Sequence, residues 1–349
     1  MSWLENAWYN KGRLNYLLAP LSLLFWGIST LRVALFKLGI KNQHRANIPV
    51  IVVGNISVGG TGKTPFVIYL VELLRELGLN PAIVSRGYGA LADDNQPFPR
   101  LVQADSNVQL SGDEPKLLAM STGCPVVIDP NRSAAVRYVE TQTDCDIVIS
   151  DDGLQHYAMS RDLEIVLLDK SRMFGNGWLL PVGPLRELPS RLQQVDITIT
   201  NSGFAESHNG IEEYCLSAVP ALPVFRGEQP LPKDKTVHLV SGIGNPQRFL
   251  DTATGLGYHV QSNKWLPDHH KFTLLDFAEF GDNDVVVMTE KDAVKCRELL
   301  NECDEQQRNR IINNWYVLPI KAQISKLVEQ QLVELIEPLK NKYNFQNNR

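Results

Sequence analysis

Apolar residues along this chain gather in short runs split by polar, glycine- and proline-bearing stretches. Residues 50–53 (VIVV) are β-branched throughout, which suits a strand buried on both faces. Runs of the same kind stand at 81–85 (PAIVS), 125–129 (PVVID), 146–150 (DIVIS), 163–169 (LEIVLLD) and 196–200 (DITIT). Between them the spacing turns helical. Over 66–77, Val67, Leu70, Leu74 and Leu77 share one side, and Gly78 ends the pattern. A further helix is expected to open at Asp113-Glu114-Pro115, since acidic residues and an early proline suit a first turn, and another to cover 131–140. Short strands alternating with helices predict an α/β fold whose parallel sheet is covered on both faces.

Around 220–235 the texture changes: Pro220, Pro223, Gly227, Pro230 and Pro232 crowd together, and a domain boundary is placed there. Past it, strands are expected at 236–240, 284–288 and 315–318 and helices near 246–254, 291–303 and 322–339, making a second, smaller α/β domain. Near the start, residues 14–31 include no charged side chain and no A-x-A-like cleavage site follows, so the segment reads as retained. Pro20, Ser22, Gly27, Ser29 and Arg32 weaken a membrane-spanning reading. Trp3, Trp8, Tyr9, Tyr16 and Trp26, with Lys11, Arg13, Arg32 and Lys37, look like interfacial anchors instead. A helix lying on a membrane surface is therefore expected, the alternative being a helix packed on its own domain. The division anticipated is 1–40 for this membrane-associating segment, 41–225 for the first α/β domain and 226–340 for the second.

Composition changes this picture little. A chain of 349 residues is long for one core, and 44% hydrophobic with 21% charged residues is ordinary for globular domains. The formal net charge of -5 exerts no overall pull toward nucleic acid, so no such partner is expected, and nothing calls for an obligate protein partner. Five scattered cysteines without CxxC spacing suggest neither a disulfide framework nor a zinc site.

Candidate chemistry is concentrated where the first strand ends. Residues 54–65 read GNISVGGTGKTP, so that Ser57, Val58, Gly59, Gly60, Thr61, Gly62, Lys63 and Thr64 form a glycine loop between strand and helix. Polyphosphate must approach a backbone closely, and glycines remove obstruction while N–H groups and a helix N-terminus face the anion. Lys63 would reach the β- and γ-phosphates, and Thr64 would hold Mg²⁺. The pattern GxxxxGK[ST] is missed by one residue, because Ser57 stands at the first glycine position. The bland alternative is a glycine-rich turn with a chance lysine.

Parallel sheets bind ligands at the carboxyl ends of their strands. Such ends here carry Ser85-Arg86-Gly87-Tyr88 and, after IVIS, Asp151-Asp152 followed by Gly153, Gln155 and His156. An apolar strand ending in aspartate supplies oxygen ligands to Mg²⁺ beside a triphosphate, plain N-capping being the alternative. Asp113-Glu114 follows Ser111-Gly112 at a helix start, where a carboxylate is normally only a cap. His269-His270 lie in LPDHHKF, a loop setting in which histidines are usually solvated. A hydroxyl acceptor nevertheless needs a base, which Asp or His can supply. Arg186-Glu187, bracketed by Pro181, Pro184 and Pro189, offers an arginine for a phosphate or simply an ion pair with a surface acid. TEKD at 289–292 misses the guanine-reading [NT]KxD because its lysine falls one place late, so it is not counted.

Taken together, GNISVGGTGKTP, SRGYG, GDEP, DDGLQH, GPLRE, PDHH and TEKDAVK, in this order, resemble the tetraacyldisaccharide 4'-kinase family of lipid A biosynthesis. The resemblance covers about 50–295 and accommodates Ser57. It implies a P-loop NTPase-like domain using ATP and Mg²⁺ to phosphorylate the 4'-hydroxyl of a tetraacylated glucosamine disaccharide 1-phosphate, at the cytoplasmic face of the bacterial inner membrane. By the same resemblance, Lys63 and Thr64 would serve the phosphates and Mg²⁺, and Asp113 would take the proton from the sugar hydroxyl with His269 orienting it. Asp151 would support the phosphoryl group and Asp152 the metal, an order that position leaves open, with Glu114 and Glu187 nearby as further metal ligands. Tyr88 and Arg186 would face the headgroup. A substrate with several acyl chains leaves the bilayer only at about 0.8 kcal/mol per buried CH₂, so the enzyme must come to the membrane. The second domain is expected to close on the first about a hinge at 220–235. Competing readings are a P-loop ATPase or GTPase switch or metal-delivery chaperone, and a nucleotide-regulated adaptor with no need of Asp113 and His269.

Overall fold

The computed structural model describes residues 7–9, 14–204, 212–225, 227, 229–268 and 270–344. After a 3₁₀ turn at Leu14–Leu18, helix α1 (Ala19–Lys37) opens with Pro20 in its first turn, where the missing N–H has no partner to lose. Strand β1 (Val50–Gly54) runs through the glycine loop into α2 (Lys63–Glu76). There follow β2 (Pro81–Ser85), β3 (Arg100–Val102), α3 (Asp113–Thr122), β4 (Val126–Ile128), α4 (Arg132–Gln142), β5 (Ile147–Asp151), β6 (Leu163–Asp169), β7 (Ile197–Phe204) and β8 (Tyr214–Ala218). The remainder comprises β9 (Leu222–Pro223), β10 (Thr236–Ser241), α5 (Pro246–Gly255), β11 (His259–Trp265), β12 (Val286–Thr289), α6 (Glu290–Cys296), α7 (Glu305–Asn314), β13 (Trp315–Leu318), β14 (Ile320–Ile324) and α8 (Lys326–Asn344).

Two sheets organise these elements. The larger has nine strands in the order β14-β8-β7-β6-β1-β5-β2-β4-β3, parallel from β8 to β4 and antiparallel only at its edges. Every residue of the central β1 is buried. Ile51 and Val53 meet Phe66, Leu70 and Leu74 of α2 on one face, while Val50 and Val52 meet Val136 and Val139 of α4 on the other. Burial on both sides is why the run reads as unbroken Val and Ile instead of alternating. The smaller sheet runs β11-β10-β12-β13-β9, parallel except for β9. Lys116 Nζ of α3 reaches across to Glu298 at 3.2 Å, and the same carboxylate accepts from Val108 N at 2.6 Å.

Residues 320–344 depart from the expected plan in two ways. The helix anticipated over 322–339 begins instead at Lys326, because Ile320, Ala322 and Ile324 alternate and pair as β14 against β8. The segment also returns to the larger sheet, although it falls within the 226–340 assigned to the smaller domain. Val328, Leu332, Ile336 and Leu339 of α8 join the core that holds Ile51 and Phe66, and Tyr69 donates to Glu329 at 2.6 Å. This apolar stripe lies beside α2 on the same face of the sheet. In the other direction, β9 precedes residue 226 yet belongs to the smaller sheet.

Helix α1 touches its own domain along one flank only: Ser22 and Phe36 are buried and Phe25 packs half-buried against the core that holds Val50 and Val52. Leu17, Leu21, Leu24, Ile28 and Leu31, spaced four and three apart, are exposed, as are Leu23 and Trp26. Asn15–Lys37 is long and apolar enough to cross a membrane by length and composition. One flank is tied to the 178–183 turn. Ser22 Oγ donates to Leu179 O at 2.9 Å and accepts from Val182 N at 3.1 Å, and Asn15 Nδ2 donates to Val182 O at 2.7 Å.

Candidate active site

The glycine loop leaves the carboxyl end of β1 at the centre of the larger sheet, and its shape is held by side chains far away in sequence. Asn201 Nδ2, on β7, donates to Thr61 O at 3.0 Å, and the Tyr214 hydroxyl, on β8, donates to Gly62 O at 2.7 Å. Both residues are buried. Gly62 has φ +85°, and a Cβ there would stand 2.7 Å from Asn201 Nδ2 and 2.8 Å from the Tyr214 hydroxyl, so glycine is required on both counts. The 178–187 segment runs alongside: Pro184 O accepts from Val58 N at 2.8 Å, and Ile56 O accepts from Arg186 N at 2.7 Å. The turn that holds α1 is thus continuous with the segment that flanks the phosphate loop.

Beside the loop, β5 ends in Asp151 and Asp152. Lys63 Nζ lies 3.5 Å from Asp152 Oδ1, and Arg186 Nη1 donates to Asp152 Oδ2 at 2.9 Å. Arg132, at the start of α4, donates to the Asp152 carbonyl at 2.9 Å. Asp152 takes φ +49°, a left-handed backbone unusual for a residue with a side chain and the kind of local strain that gathers at functional sites. Its carboxyl is pushed up by burial, but Lys63 and Arg186 outweigh this and hold it at about 2. Asp151 goes the other way: burial, then Glu114 and Asp152, lift it to about 7 against Lys63 and Arg132. The charges around them thus drive the two adjacent carboxyls in opposite directions. Burial, then Arg132 and neighbouring arginines, lower His156 to about 4, so its ring is neutral at pH 7.

Asp113 is buried at the head of α3, where its Oδ1 accepts from Glu114 N at 2.9 Å. Gly112 before it has φ +81°, and a Cβ there would meet Tyr88 O at 2.6 Å, so the backbone of exposed Tyr88 rests against the turn that presents Asp113. Glu114 accepts from Lys291 of α6. Burial raises the Glu114 carboxyl, but Lys291 and Lys63 draw it below its usual range, with Asp152 opposing. The GDEP turn and the phosphate loop therefore face one cleft.

The remaining expected residues among those described have definite partners of their own. Glu187 accepts from Gln155 Nε2 at 2.8 Å, from the Tyr157 hydroxyl at 2.7 Å and pairs with Arg191 at 3.4 Å. Those three partners share its two carboxylate oxygens. Arg186 turns to Asp152 and not to its neighbour Glu187. Between the two adjacent histidines, His270 bonds Asp276 at 3.1 Å and stands edge-on to Phe272, while His269 lies outside the described residues.

Among the described residues no group of three or more His, Cys, Asp or Glu side chains forms a metal site. The donor set nonetheless suits Mg²⁺ shared with phosphates, which keeps few protein ligands. Asp151 Oδ1 and Thr61 Oγ1 are buried and lack any hydrogen-bond partner, as do Ser150 Oγ, Arg132 Nε and His156 Nε2 around the same strand end. Buried polar atoms left without partners in one place call for an explanation, and a bound phosphate and its ion would supply one. Sequence reasoning missed Arg132, Lys291, Asn201 and Tyr214. Arg132 follows the carboxyl end of β4 and was within reach of that rule; Asn201 and Tyr214 carry no local signal.

Comparison with known proteins bears directly on this cleft. The family model described as Tetraacyldisaccharide-1-P 4'-kinase, LpxK, matches residues 14–337. This chain belongs to that family. Among its relatives, the tetraacyldisaccharide 4'-kinase of Haemophilus influenzae is 44% identical over 326 residues, covering 93% of each chain. That of Shewanella pealeana is 41% identical over 341 residues, covering 97% of this chain and 98% of the relative. A crystal structure of LpxK from Aquifex aeolicus in complex with ATP superposes with a TM-score of 0.73 at 26% identity, covering 93% of this chain and 99% of that one. The protein is thus a phosphotransferase with an alcohol acceptor, acting in lipid A biosynthesis.

Proposed function

We propose that this kinase transfers the γ-phosphate of ATP to the 4'-hydroxyl of a tetraacylated glucosamine disaccharide 1-phosphate presented at the cytoplasmic face of the inner membrane. The observation that carries the reading is the charge cluster beside the phosphate loop, in which Lys63, Asp151, Asp152 and Glu114 act on one another. Lys63 and the loop N–H groups take the phosphates. Thr64 and Asp152 hold Mg²⁺, with Glu114 as a second carboxylate. When bound, Mg²⁺ neutralises charge developing on the phosphoryl oxygens. Asp113 accepts the hydroxyl proton, and Asp151, titrating near neutrality, supports the phosphoryl side. Arg186 steadies Asp152, and Tyr88 faces the sugar from the rim. Exposed Leu17, Leu21, Leu24, Ile28 and Leu31 enter the lipid surface.

Labelled ATP offered with the lipid disaccharide in anionic vesicles tests both halves. Labelled phospholipid should form and the chain should sediment with the vesicles; free phosphate alone would point to an ATPase, and a chain left in the supernatant would overturn the membrane assignment. The buried loop supports add a finer expectation. Tyr214→Phe removes one hydroxyl from Gly62 O while keeping the ring packed on Phe66. With a hydrogen bond worth about 1 kcal/mol, KM for ATP should rise about fivefold with KM for the lipid unchanged. Initial rates at varied ATP check this, and an unaltered KM for ATP refutes it.

A further inference from the structure

We propose that Lys291 is a positioning residue for the transfer: its ammonium ties α6, beside the smaller sheet, to the Asp113-Glu114 turn of the larger one, and so sets the cleft in which hydroxyl and phosphoryl group meet. The proposal rests on the kinase reading above. Lys291 Nζ donates to Glu114 Oε1, joining residues 177 apart in sequence where α6 packs against α3. The charges of Asp113 and Asp268 also act on this ammonium, and together with Glu114 they keep it protonated against its burial. Asp268 stands over the 242–244 turn, its Oδ2 3.5 Å from the place a Cβ on Gly244 would occupy.

The mount for Lys291 is rigid. Asp292, next in the chain and fully buried, accepts from Ser241 Oγ at 2.9 Å, Gly242 N at 3.3 Å and Thr289 Oγ1 at 2.6 Å, and pairs with Lys295 at 3.0 Å. These bonds pin the first turn of α6 to the end of β10. Lys291 itself adds nothing to that anchoring, and a cation in a helix's first turn opposes the helix dipole. Its placement makes sense through what it reaches. Of the three carboxylates that act on it, Asp113 is the proton acceptor and Glu114 is its neighbour in the chain. A second bond between the sheets, Lys116 to Glu298, joins the same region through different carboxylates and serves as an internal control.

Full-length wild type, Lys291→Met, Lys291→Arg and Lys116→Met are compared for transfer of labelled phosphate to the lipid disaccharide in vesicles, with thermal melts alongside. Lys291→Met should lower kcat about 10- to 100-fold, the scale of an ångström of misplacement, with KM for ATP changed by no more than about twofold and an unchanged melting temperature. Lys291→Arg should recover most of the rate, and Lys116→Met should keep it. An unimpaired Lys291→Met, a Lys291→Arg no better than Lys291→Met, or a Lys116→Met equally slow would each overturn the proposal while wild type still phosphorylates lipid. A wild type that makes no phospholipid takes down the kinase reading and this inference with it.

Discussion

Lys63→Met should lower turnover at saturating ATP and lipid by about 10²- to 10³-fold, the cost of removing one donor preorganised for developing charge. Lys63 opens α2 with its ammonium 3.5 Å from Asp152 and its side chain 15% exposed, so its field is little screened. Methionine keeps the length and apolar stem but neither reaches a phosphate nor counters Asp151. Because Lys63 is among the groups that lower the Asp151 carboxyl, its loss should carry that group above about 7 and leave it protonated at physiological pH. Asp152 keeps Arg186 at 2.9 Å, so the variant should melt close to wild type. Transfer within tenfold of wild type, measured with labelled ATP, would show that the loop is a mere turn.

Asp113→Asn should have a loss of the same order or larger, about 10²- to 10⁴-fold in kcat, as expected for a general base. Asparagine is nearly isosteric and can still accept from Glu114 N, which keeps the head of α3 intact. KM for ATP should therefore stay close to wild type while kcat falls, the signature of an interaction made only in the transition state. The competing acceptor is Asp151, whose carboxyl lies at about 7 in the same cluster. Parallel measurement of Asp151→Asn separates them: retention of activity by Asp113→Asn beside collapse of Asp151→Asn would move the base to the end of β5. His269→Ala belongs in the same series, and wild-type turnover from both it and Asp113→Asn would end the assignment of the pair.

Ser22 and Asn15 grip the 178–183 turn, and the same segment continues to Pro184, whose carbonyl holds Val58, and to Arg186, which holds Asp152. A short stretch of chain thus spans from the apolar helix to the phosphate loop, which fits a lipid substrate whose headgroup must reach the nucleotide while its acyl chains stay in the bilayer.

Much of this was legible in the sequence because the signals are local. Strands expected at 81–85, 163–169 and 315–318 coincide with β2, β6 and β13, since a strand buried on both faces writes an unbroken apolar run. The glycine loop and the paired aspartates likewise announce themselves by residue type and spacing, whereas GDEP reads locally as no more than a helix cap and was singled out by the family resemblance. What only the tertiary structure decided depends on partners distant in sequence. Five residues, IKAQI, become a strand because β8 offers an open edge, and α8 joins the larger sheet because its face needs covering. Lys291 looked like a failed guanine motif until Glu114 was placed opposite it. Glu187 likewise showed none of its partners in the sequence, and Gln155, Tyr157 and Arg191 reach it only through the fold. A side chain's chemistry is written in the sequence, whereas its partner is chosen by the packing that brings remote segments together.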